Sequence, residues 1–180
     1  MRTAIYPGSF DPITNGHLDV ARRAVDLFGK VIIAVANTPR KTHLFAPDER
    51  IDLIRRSLPF SGISAPHFSV RVDSFSGLLT DYAREHGPVV VVRGLRAVAD
   101  FEFEFQFALA NKALWMASEP EAGKIELEFA HLMTGEKNLY TSSSLVREIA
   151  YFGGDVSQFV TPPVGEALER KYGKRLGKGS

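Results

Sequence analysis

Continuous apolar runs alternate with amphipathic segments along the first half of the chain. Runs without polar interruption, as at 31–36 and 89–92, are typical of strands that are buried on both faces of a parallel sheet. The segments 4–6 and 68–72 are also predicted to be strands, which gives four strands over residues 4–6, 31–36, 68–72 and 89–92. Amphipathic spacing and helix-start signals predict three intervening helices, over 18–28, from Pro47 onward and over 78–86.

This alternation of strands and helices indicates an α/β fold. Strand–helix–strand units cross over with a right hand and build a parallel sheet that is covered on both faces. We therefore predict a single-domain, Rossmann-like, doubly wound parallel sheet over residues 1–172, with C-terminal helices and a frayed tail over 173–180. Ligands of such folds bind beyond the carboxyl ends of the strands. One site is expected at the loops that follow Tyr6, Ala36, Val72 and Val92.

The segment 101–107 alternates phenylalanine with polar residues, which by period alone predicts a strand. We interpret it as a helix, because Asp100 can cap it and helix formers follow it. On a helix its apolar residues form two faces, one with Phe101, Phe105, Ala108 and Leu109, and one with Phe103, Phe107, Ala110 and Leu114. Our hypothesis is that one face packs on the sheet and the other on a neighbouring subunit. Complete burial within a monomer is the alternative.

Charge and composition narrow the function classes. The 22 basic and 21 acidic residues give a net charge of +1, so no overall field attracts nucleic acid or a membrane surface. The sequence has no cysteine, which excludes disulfides and thiolate metal sites. No basic-then-apolar leader is present, and the apolar runs are too short to span a bilayer. We expect a soluble, cytoplasmic protein without nucleic-acid or membrane partners.

A glycine-rich turn joins the first predicted strand to the first helix. Residues 6–17 are Tyr-Pro-Gly-Ser-Phe-Asp-Pro-Ile-Thr-Asn-Gly-His. Such a turn leaves backbone N–H groups unpaired, and the helix dipole adds positive potential, so the turn favours anions. Ser9 and His17 add a hydroxyl and an imidazole, which predicts a phosphate site. Asp11 or Asn15 is expected to cap the helix.

Three further groups follow predicted strands or open a helix. Lys41 follows the second strand, and Arg93 and Arg96 flank Gly94 after the fourth. Arginines at such an edge suit bidentate recognition of phosphate or carboxylate. The residues 141–144 (Thr-Ser-Ser-Ser) open a later helix, where Ser142 is expected to be the cap and the hydroxyls can form an anion nest. From the residues alone, a nucleotide and a second phosphate meet at the carboxyl edge of the sheet.

Together these segments resemble the bacterial phosphopantetheine adenylyltransferases, members of the nucleotidyltransferase superfamily with the Thr-x-Gly-His motif. The resemblance extends from Ala4 to about Pro163, and its motifs are residues 6–17, 93–102 and 142–146. It implies transfer of AMP from ATP to 4′-phosphopantetheine, giving dephospho-CoA and pyrophosphate in coenzyme A biosynthesis. It also implies Mg²⁺, which would bridge ATP phosphates rather than sit in a protein cage, and a homohexamer.

The resemblance also implies roles for individual residues. His17 would be catalytic, binding ATP phosphates in the transition state, and Ser9 would contact both substrates. The implied phosphopantetheine contacts are Ser9, Lys41, Leu79 and Arg93. The implied ATP contacts are Ser9, Phe10, His17, Gly94, Leu95, Arg96, Glu104, Asn138, Leu139, Tyr140, Thr141, Ser142, Ser143 and Ser144.

Two alternatives stay open at this point. Another small-molecule nucleotidyltransferase, acting on nicotinamide mononucleotide or using CTP, would share the first motif but has little reason for residues 93–102. A non-catalytic, oligomeric nucleotide-binding module would keep the fold without turnover. Adenylyl transfer itself needs neither a general base nor a covalent intermediate, because the acceptor phosphate is already an anion.

Overall fold

Five parallel strands form one sheet in the computed structural model, which describes residues 3–39, 42–63, 69–87, 89–118 and 126–177. In chain order they are β1 (Thr3–Gly8), β2 (Lys30–Asn37), β3 (Ser69–Ser76), β4 (Val89–Leu95) and β5 (Glu128–Met133). Their order across the sheet is β3-β2-β1-β4-β5, and every neighbouring pair is parallel. The strand order reverses between β1 and β4, the place where doubly wound sheets bind ligands.

Six α-helices accompany the sheet in the described part of the chain. They are α1 (Asn15–Phe28), α2 (Pro47–Ser57), α3 (Leu79–Glu85), α4 (Val98–Ser118), α5 (Ser143–Tyr151) and α6 (Pro162–Tyr172). The predicted α/β fold with C-terminal helices is confirmed. No helix in these ranges is both long and apolar enough to cross a membrane.

The two faces of the sheet carry separate cores. Alternate strand residues such as Tyr6 and Ile33 pack with α1, α2, α5 and α6 on one face. Their neighbours Ile5 and Ile32 pack with α3 and with partly buried residues of α4 on the other. This division follows from the period of two along a strand. It explains why β2 is apolar at successive positions, since both of its faces are covered.

The cap of α1 differs from the prediction of Asp11 or Asn15. Thr14 is the N-cap, and its hydroxyl accepts a hydrogen bond from the backbone N–H of His17. Asn15 is already helical, and its side chain donates to the carbonyl of Gln158 at 3.1 Å. Asp11 is unavailable because its carboxylate accepts from backbone N–H groups of a different loop.

Helix α4 confirms the helical interpretation of residues 101–107, but its start and its buried face were predicted wrongly. The helix begins at Val98, so Asp100 lies in its first turn and is not its cap. Neither predicted apolar face is buried as a whole. Glu104, Ala108 and Asn111 are buried, whereas Phe101, Phe103, Phe105 and Leu109 are each more than half exposed. These buried residues recur at spacings of four and three along the helix, which places them on one face, and the carboxylate of Glu104 on that face pairs with an arginine of β4.

Two further segments differ in extent from the expectation. Strand β5 was not predicted, since its residues are only partly buried and lack a clear alternation. In the tail, Gly173 ends α6 with a left-handed φ of 62°. The N–H of Leu176 then donates to Glu169 at 2.9 Å, and that of Gly177 to the carbonyl of Gly153 at 3.2 Å. The described part of the tail is thus tied to α6 and to the loop after α5.

Candidate active site

A cleft of about 460 Å³ opens at the carboxyl edge of the sheet, where the ends of β1 and β4 meet. Its walls are the loop after β1, the start of α1, the end of β4, one turn of α4 and the segment leading into α5. The lining residues are Tyr6, Pro7, Gly8, Ser9, Phe10, Thr14, Gly16, His17, Val20, Arg93, Gly94, Arg96, Glu104, Thr134, Asn138, Thr141, Ser142, Ser143 and Ser144. The predicted site therefore lies at the switch point of the sheet.

His17 is held in one orientation by Thr14. The backbone N–H of Thr14 donates to Nδ1 of His17 at 3.1 Å, and the Thr14 hydroxyl lies 2.9 Å from the same nitrogen. This is a capping box, with histidine at the third helical position. Because a backbone N–H can only donate, Nδ1 is the acceptor, and the proton of the neutral ring is on Nε2.

The surroundings of His17 keep it uncharged at neutral pH. Burial, followed by the positive charges of Arg96 and Arg93, lowers the pKa of His17 from 6.5 to about 4. The ring also packs edge-on against Phe10, with 5.2 Å between ring centroids. His17 can thus present a neutral N–H donor to an anion in the cleft. It is not a base poised near pH 7.

Arg93 is fixed by a bidentate ion pair. Its Nε and one terminal nitrogen each donate to the carboxylate of Glu104 at 2.7 Å, and the other terminal nitrogen donates to the carbonyl of Pro7 at 2.8 Å. The guanidinium also lies 5.0 Å from the ring centroid of Phe107. Three of its five N–H groups are thereby used, and two remain for a ligand.

Arg96 is held more loosely, at the mouth of the cleft. Its Nε and one terminal nitrogen donate to the Asp100 carboxylate at 3.1 Å, as does its backbone N–H. Burial opposes ionisation of Asp100, but the hydrogen bonds from Arg96 outweigh it and lower the pKa of Asp100 below its ordinary value. This pair is far more exposed than that of Arg93, so Arg96 can exchange partners at small cost.

The serine segment opens α5 as predicted. Ser142 is the N-cap, and its hydroxyl accepts from the N–H of Leu145 at 3.1 Å. Ser143 donates its hydroxyl to the carbonyl of Pro12 at 2.8 Å, which joins α5 to the loop after β1. The first N–H groups of a helix have no partner within it, so those of Ser143 and Ser144 are available at the cleft.

Comparison with known proteins places the chain in a family. Residues 5–149 match the family model described as cytidylyltransferase-like. The phosphopantetheine adenylyltransferase of Anaeromyxobacter dehalogenans (strain 2CP-C) is 50% identical over 173 residues, which cover 96% of this chain and 96% of that protein. Its counterpart from Thioalkalivibrio sulfidiphilus (strain HL-EbGR7) is 50% identical over 170 residues, covering 94% and 98%. The chain belongs to the phosphopantetheine adenylyltransferase family.

Solved structures of other adenylyltransferases share the fold. A putative nicotinate-nucleotide adenylyltransferase from Vibrio parahaemolyticus superposes with a TM-score of 0.63 at 19% identity, covering 99% of this chain and 100% of that one. A bifunctional NMN adenylyltransferase/ADP ribose pyrophosphatase from Francisella tularensis, complexed with AMP and a Mn ion, gives 0.63 at 18% identity, covering 94% and 48%. At these identities the likeness concerns the fold alone.

Most residues that the resemblance to phosphopantetheine adenylyltransferases singled out lie together in the cleft. Those lining it are Ser9, Phe10, His17, Arg93, Gly94, Arg96, Glu104, Asn138, Thr141, Ser142, Ser143 and Ser144. Leu79, Leu95, Leu139 and Tyr140 do not line it. Leu79 is the first residue of α3 and is buried in the core, whereas Tyr140 is 86% exposed. Lys41 lies outside the described residues.

Further residues line the cleft of this adenylyltransferase family member, and sequence analysis had assigned them no role. These are Tyr6, Pro7, Gly8, Thr14, Gly16, Val20 and Thr134, of which the first five lie in the 6–17 motif but had been assigned no role of their own. The spacing of Thr14 and His17 could have predicted the contact between them. A threonine followed three residues later by a side chain that can accept a hydrogen bond is the pattern of a capping box. No such pattern indicated Gly8. A Cβ there would lie 2.8 Å from the Phe10 ring, a contact that only the folded turn creates.

The described residues of the site do not cluster as ligands for a metal ion. Within the described ranges, no three His, Cys, Asp or Glu side chains come together as possible ligands. Glu104, the acidic residue that lines the cleft, is occupied by Arg93.

Proposed function

We propose that this chain transfers the adenylyl group of ATP to 4′-phosphopantetheine, giving dephospho-CoA and pyrophosphate. An oxygen of the acceptor phosphate forms a bond to the α-phosphorus of ATP. The bond from that phosphorus to the oxygen bridging to the β-phosphate breaks, and pyrophosphate leaves. One observation supports this proposal above the others. In a member of this family, a single cleft brings together the neutral imidazole of His17, the two arginines Arg93 and Arg96, and the N-terminal turn of α5.

His17 is proposed to stabilise the charge that develops at the α-phosphate. Its Nε2–H is a neutral donor, already oriented through Thr14, so no reorganisation is needed during the reaction. We expect His17→Ala to lower kcat on the order of 100-fold, the loss found for a single well-placed donor. His86→Ala, outside the cleft, is the control. A variant that keeps its kcat and loses only ATP affinity would contradict this role.

The two arginines are proposed to hold the two substrates. Arg93, fixed by Glu104, has two N–H groups left, and with Lys41 it would clamp the acceptor phosphate. Arg96, on the exposed side, would exchange Asp100 for the β- and γ-phosphates, together with the N–H groups that open α5. Most of the catalysis then comes from positioning two polyanions, which contributes about 7–11 kcal/mol in well-aligned systems.

Mg²⁺ is proposed to arrive with ATP and to bridge its phosphates. The absence of a carboxylate cluster in the described ranges supports this arrangement over a protein-held ion. Bound in this way, the ion would neutralise charge on the leaving pyrophosphate. Arg96 and the opening turn of α5 would orient the same group.

The exposed aromatic side chains of α4 support a homo-oligomer, for which we propose the hexamer implied by the resemblance. Phe101, Phe105 and Leu109 recur every four residues on one face of the helix and are 52–55% exposed, and Phe103 on the second face is 63% exposed. A patch of this kind is typical of a surface that a partner covers. Light scattering of the purified chain measures the mass directly. A monomer at micromolar concentration would exclude this assembly.

Pyrophosphate release tests the reaction and the acceptor together. The chain is incubated with ATP and Mg²⁺, and with 4′-phosphopantetheine, nicotinamide mononucleotide or no acceptor in parallel. We expect release only with 4′-phosphopantetheine. Release with nicotinamide mononucleotide would favour the sister activity. Silence with every acceptor, in protein that still binds ATP, would identify a non-catalytic nucleotide-binding module.

A further inference from the structure

Asp11 lies where three elements around the cleft meet, although it does not line the cleft. Only 2% of it is exposed. One carboxylate oxygen accepts from the backbone N–H of Phe45, and the other from that of Leu44, both at 2.9 Å. The second oxygen also accepts from Arg147 of α5 at 3.2 Å. A single carboxylate therefore joins the loop after β1, the loop before α2 and the first turns of α5.

Arg147 extends this junction to the cleft wall. It also donates to the backbone carbonyl of Asp11 through the same terminal nitrogen, and to the hydroxyl of Ser144 at 3.3 Å through the other. Ser144 lines the cleft. A change at Asp11 is thus transmitted to the N-terminal turn of α5 through one guanidinium.

The charge of Asp11 also offsets the charge of one buried cation behind the loop. Arg50 of α2 is 1% exposed, and it donates to the carbonyls of Ser9 at 2.8 Å and Ala36 at 3.2 Å. Burial lowers the pKa of Arg50, and the negative charge of Asp11 opposes that effect. Without the carboxylate, the buried guanidinium of Arg50 would lose the negative charge that offsets its desolvation, and an uncompensated buried charge is strongly unfavourable.

We propose that Asp11 is a positioning residue, which sets the acceptor-side loop before α2 and the ATP-side start of α5 at a fixed separation across the loop after β1. The inference rests on the proposed function, because it assigns one substrate to each side. Asp11 acts through its partners and does not contact the reacting atoms. Its loss should therefore weaken binding of both substrates, whereas loss of Arg147 should weaken binding of ATP alone.

Steady-state kinetics of Asp11→Asn, Arg147→Met and the double variant test this inference. An asparagine supplies one acceptor oxygen and turns an NH₂ group toward at least one donor, so it cannot serve all three partners. We expect Asp11→Asn to raise KM for ATP and for the acceptor about tenfold each, the size of one lost charge-assisted hydrogen bond. Arg147→Met should raise only KM for ATP. In the double variant, KM for ATP should not exceed that of the worse single variant.

Asp73→Asn is the matched control. Asp73 also accepts from a backbone N–H, a hydroxyl and an arginine, those of Ser74, Tyr82 and Arg71, but it lies on β3 away from the cleft. We expect it to lower the melting temperature with both KM values unchanged. If Asp11→Asn behaves in the same way, or lowers kcat alone, Asp11 is not a positioning residue.

If Asp11→Asn does not fold, Arg147→Met decides, since an equal rise of both KM values or no change would refute the proposal. If the unsubstituted chain shows no turnover, the proposed function fails. Calorimetric titration with MgATP then tests the ATP side, because Asp11→Asn and Arg147→Met should still raise its dissociation constant about tenfold. An unchanged constant would overturn the inference.

Discussion

The neutral state of His17 predicts a pH dependence of folding that one substitution removes. In the unfolded chain His17 binds a proton at its ordinary pKa of 6.5, whereas in the folded protein its pKa is about 4. Between these values the unfolded chain holds more protons, so the free energy of unfolding falls as the pH decreases. The full effect is about 3 kcal/mol, of which about 1.4 kcal/mol is lost by pH 5.5.

His17→Gln is the variant that isolates this effect. Glutamine at the third helical position can accept from the Thr14 N–H, as histidine does, so the capping box is kept while the titration is lost. Urea denaturation followed by circular dichroism gives the free energy of unfolding of both proteins from pH 7.5 to 4.5. Since the other histidines are common to both, the difference between the proteins reports His17 alone.

We expect the unsubstituted protein to lose about 1.4 kcal/mol relative to His17→Gln between pH 7.5 and 5.5. A difference that stays constant with pH would mean that His17 binds its proton equally well in both states. In that case burial and the charges of Arg96 and Arg93 do not keep the imidazole neutral. The Nε2–H group of His17 would then not be a preformed neutral donor.

Three further substitutions probe the packing of the cleft, each by the free energy of unfolding at pH 7.5. Gly8→Ala should destabilise by about 1–3 kcal/mol, because the new Cβ would lie 2.8 Å from the buried Phe10 ring. Glu104→Gln should cost about 1.5–3 kcal/mol, since it removes the charge that pairs with Arg93 and at least one of two charged hydrogen bonds. Ser142→Ala should cost about 1 kcal/mol through loss of the α5 cap.

The same types of substitution at positions outside the cleft serve as controls. They show how much of each change in stability comes from the exchange of residue type alone. Gly165→Ala, in a helix with nothing within 4 Å of the new Cβ, should stabilise slightly. Asp52→Asn removes an exposed partner of Arg56 and should change stability by less than about 1 kcal/mol. Ser157→Ala removes an exposed hydroxyl that caps no helix and should be nearly neutral. If a cleft variant behaves like its control, the contact assigned to it contributes nothing measurable.

Hydrophobic periodicity was enough to predict the layers of the fold. The runs 31–36 and 89–92 lie in β2 and β4, because a strand covered on both faces has no position left for a polar side chain. Strand β5 escaped prediction for the complementary reason. At the edge of the sheet its residues are only partly buried, so its sequence carries no clear pattern.

The place of the cleft could also be predicted, because it depends on topology. Parallel strands bring their carboxyl ends to one edge, so the motif at 6–17 and Arg93 were bound to meet there. The chemistry of each side chain in those motifs, including a hydroxyl at Ser9 and an imidazole at His17, is likewise a property of the sequence.

Only the tertiary structure decided which polar group pairs with which. Asp11 and Thr14 both have side chains that can cap a helix. Thr14 is the cap, because the Asp11 carboxylate accepts hydrogen bonds from the backbone N–H groups of Leu44 and Phe45, more than thirty residues further along the chain. Glu104 lies on the buried face of α4, where it pairs with Arg93, whereas Phe101, Phe103 and Phe105 stay exposed. A local sequence fixes what a side chain can bond to. Which of several possible donors or acceptors a side chain actually pairs with depends on long-range contacts. These contacts form only when the whole sheet and its helices are assembled.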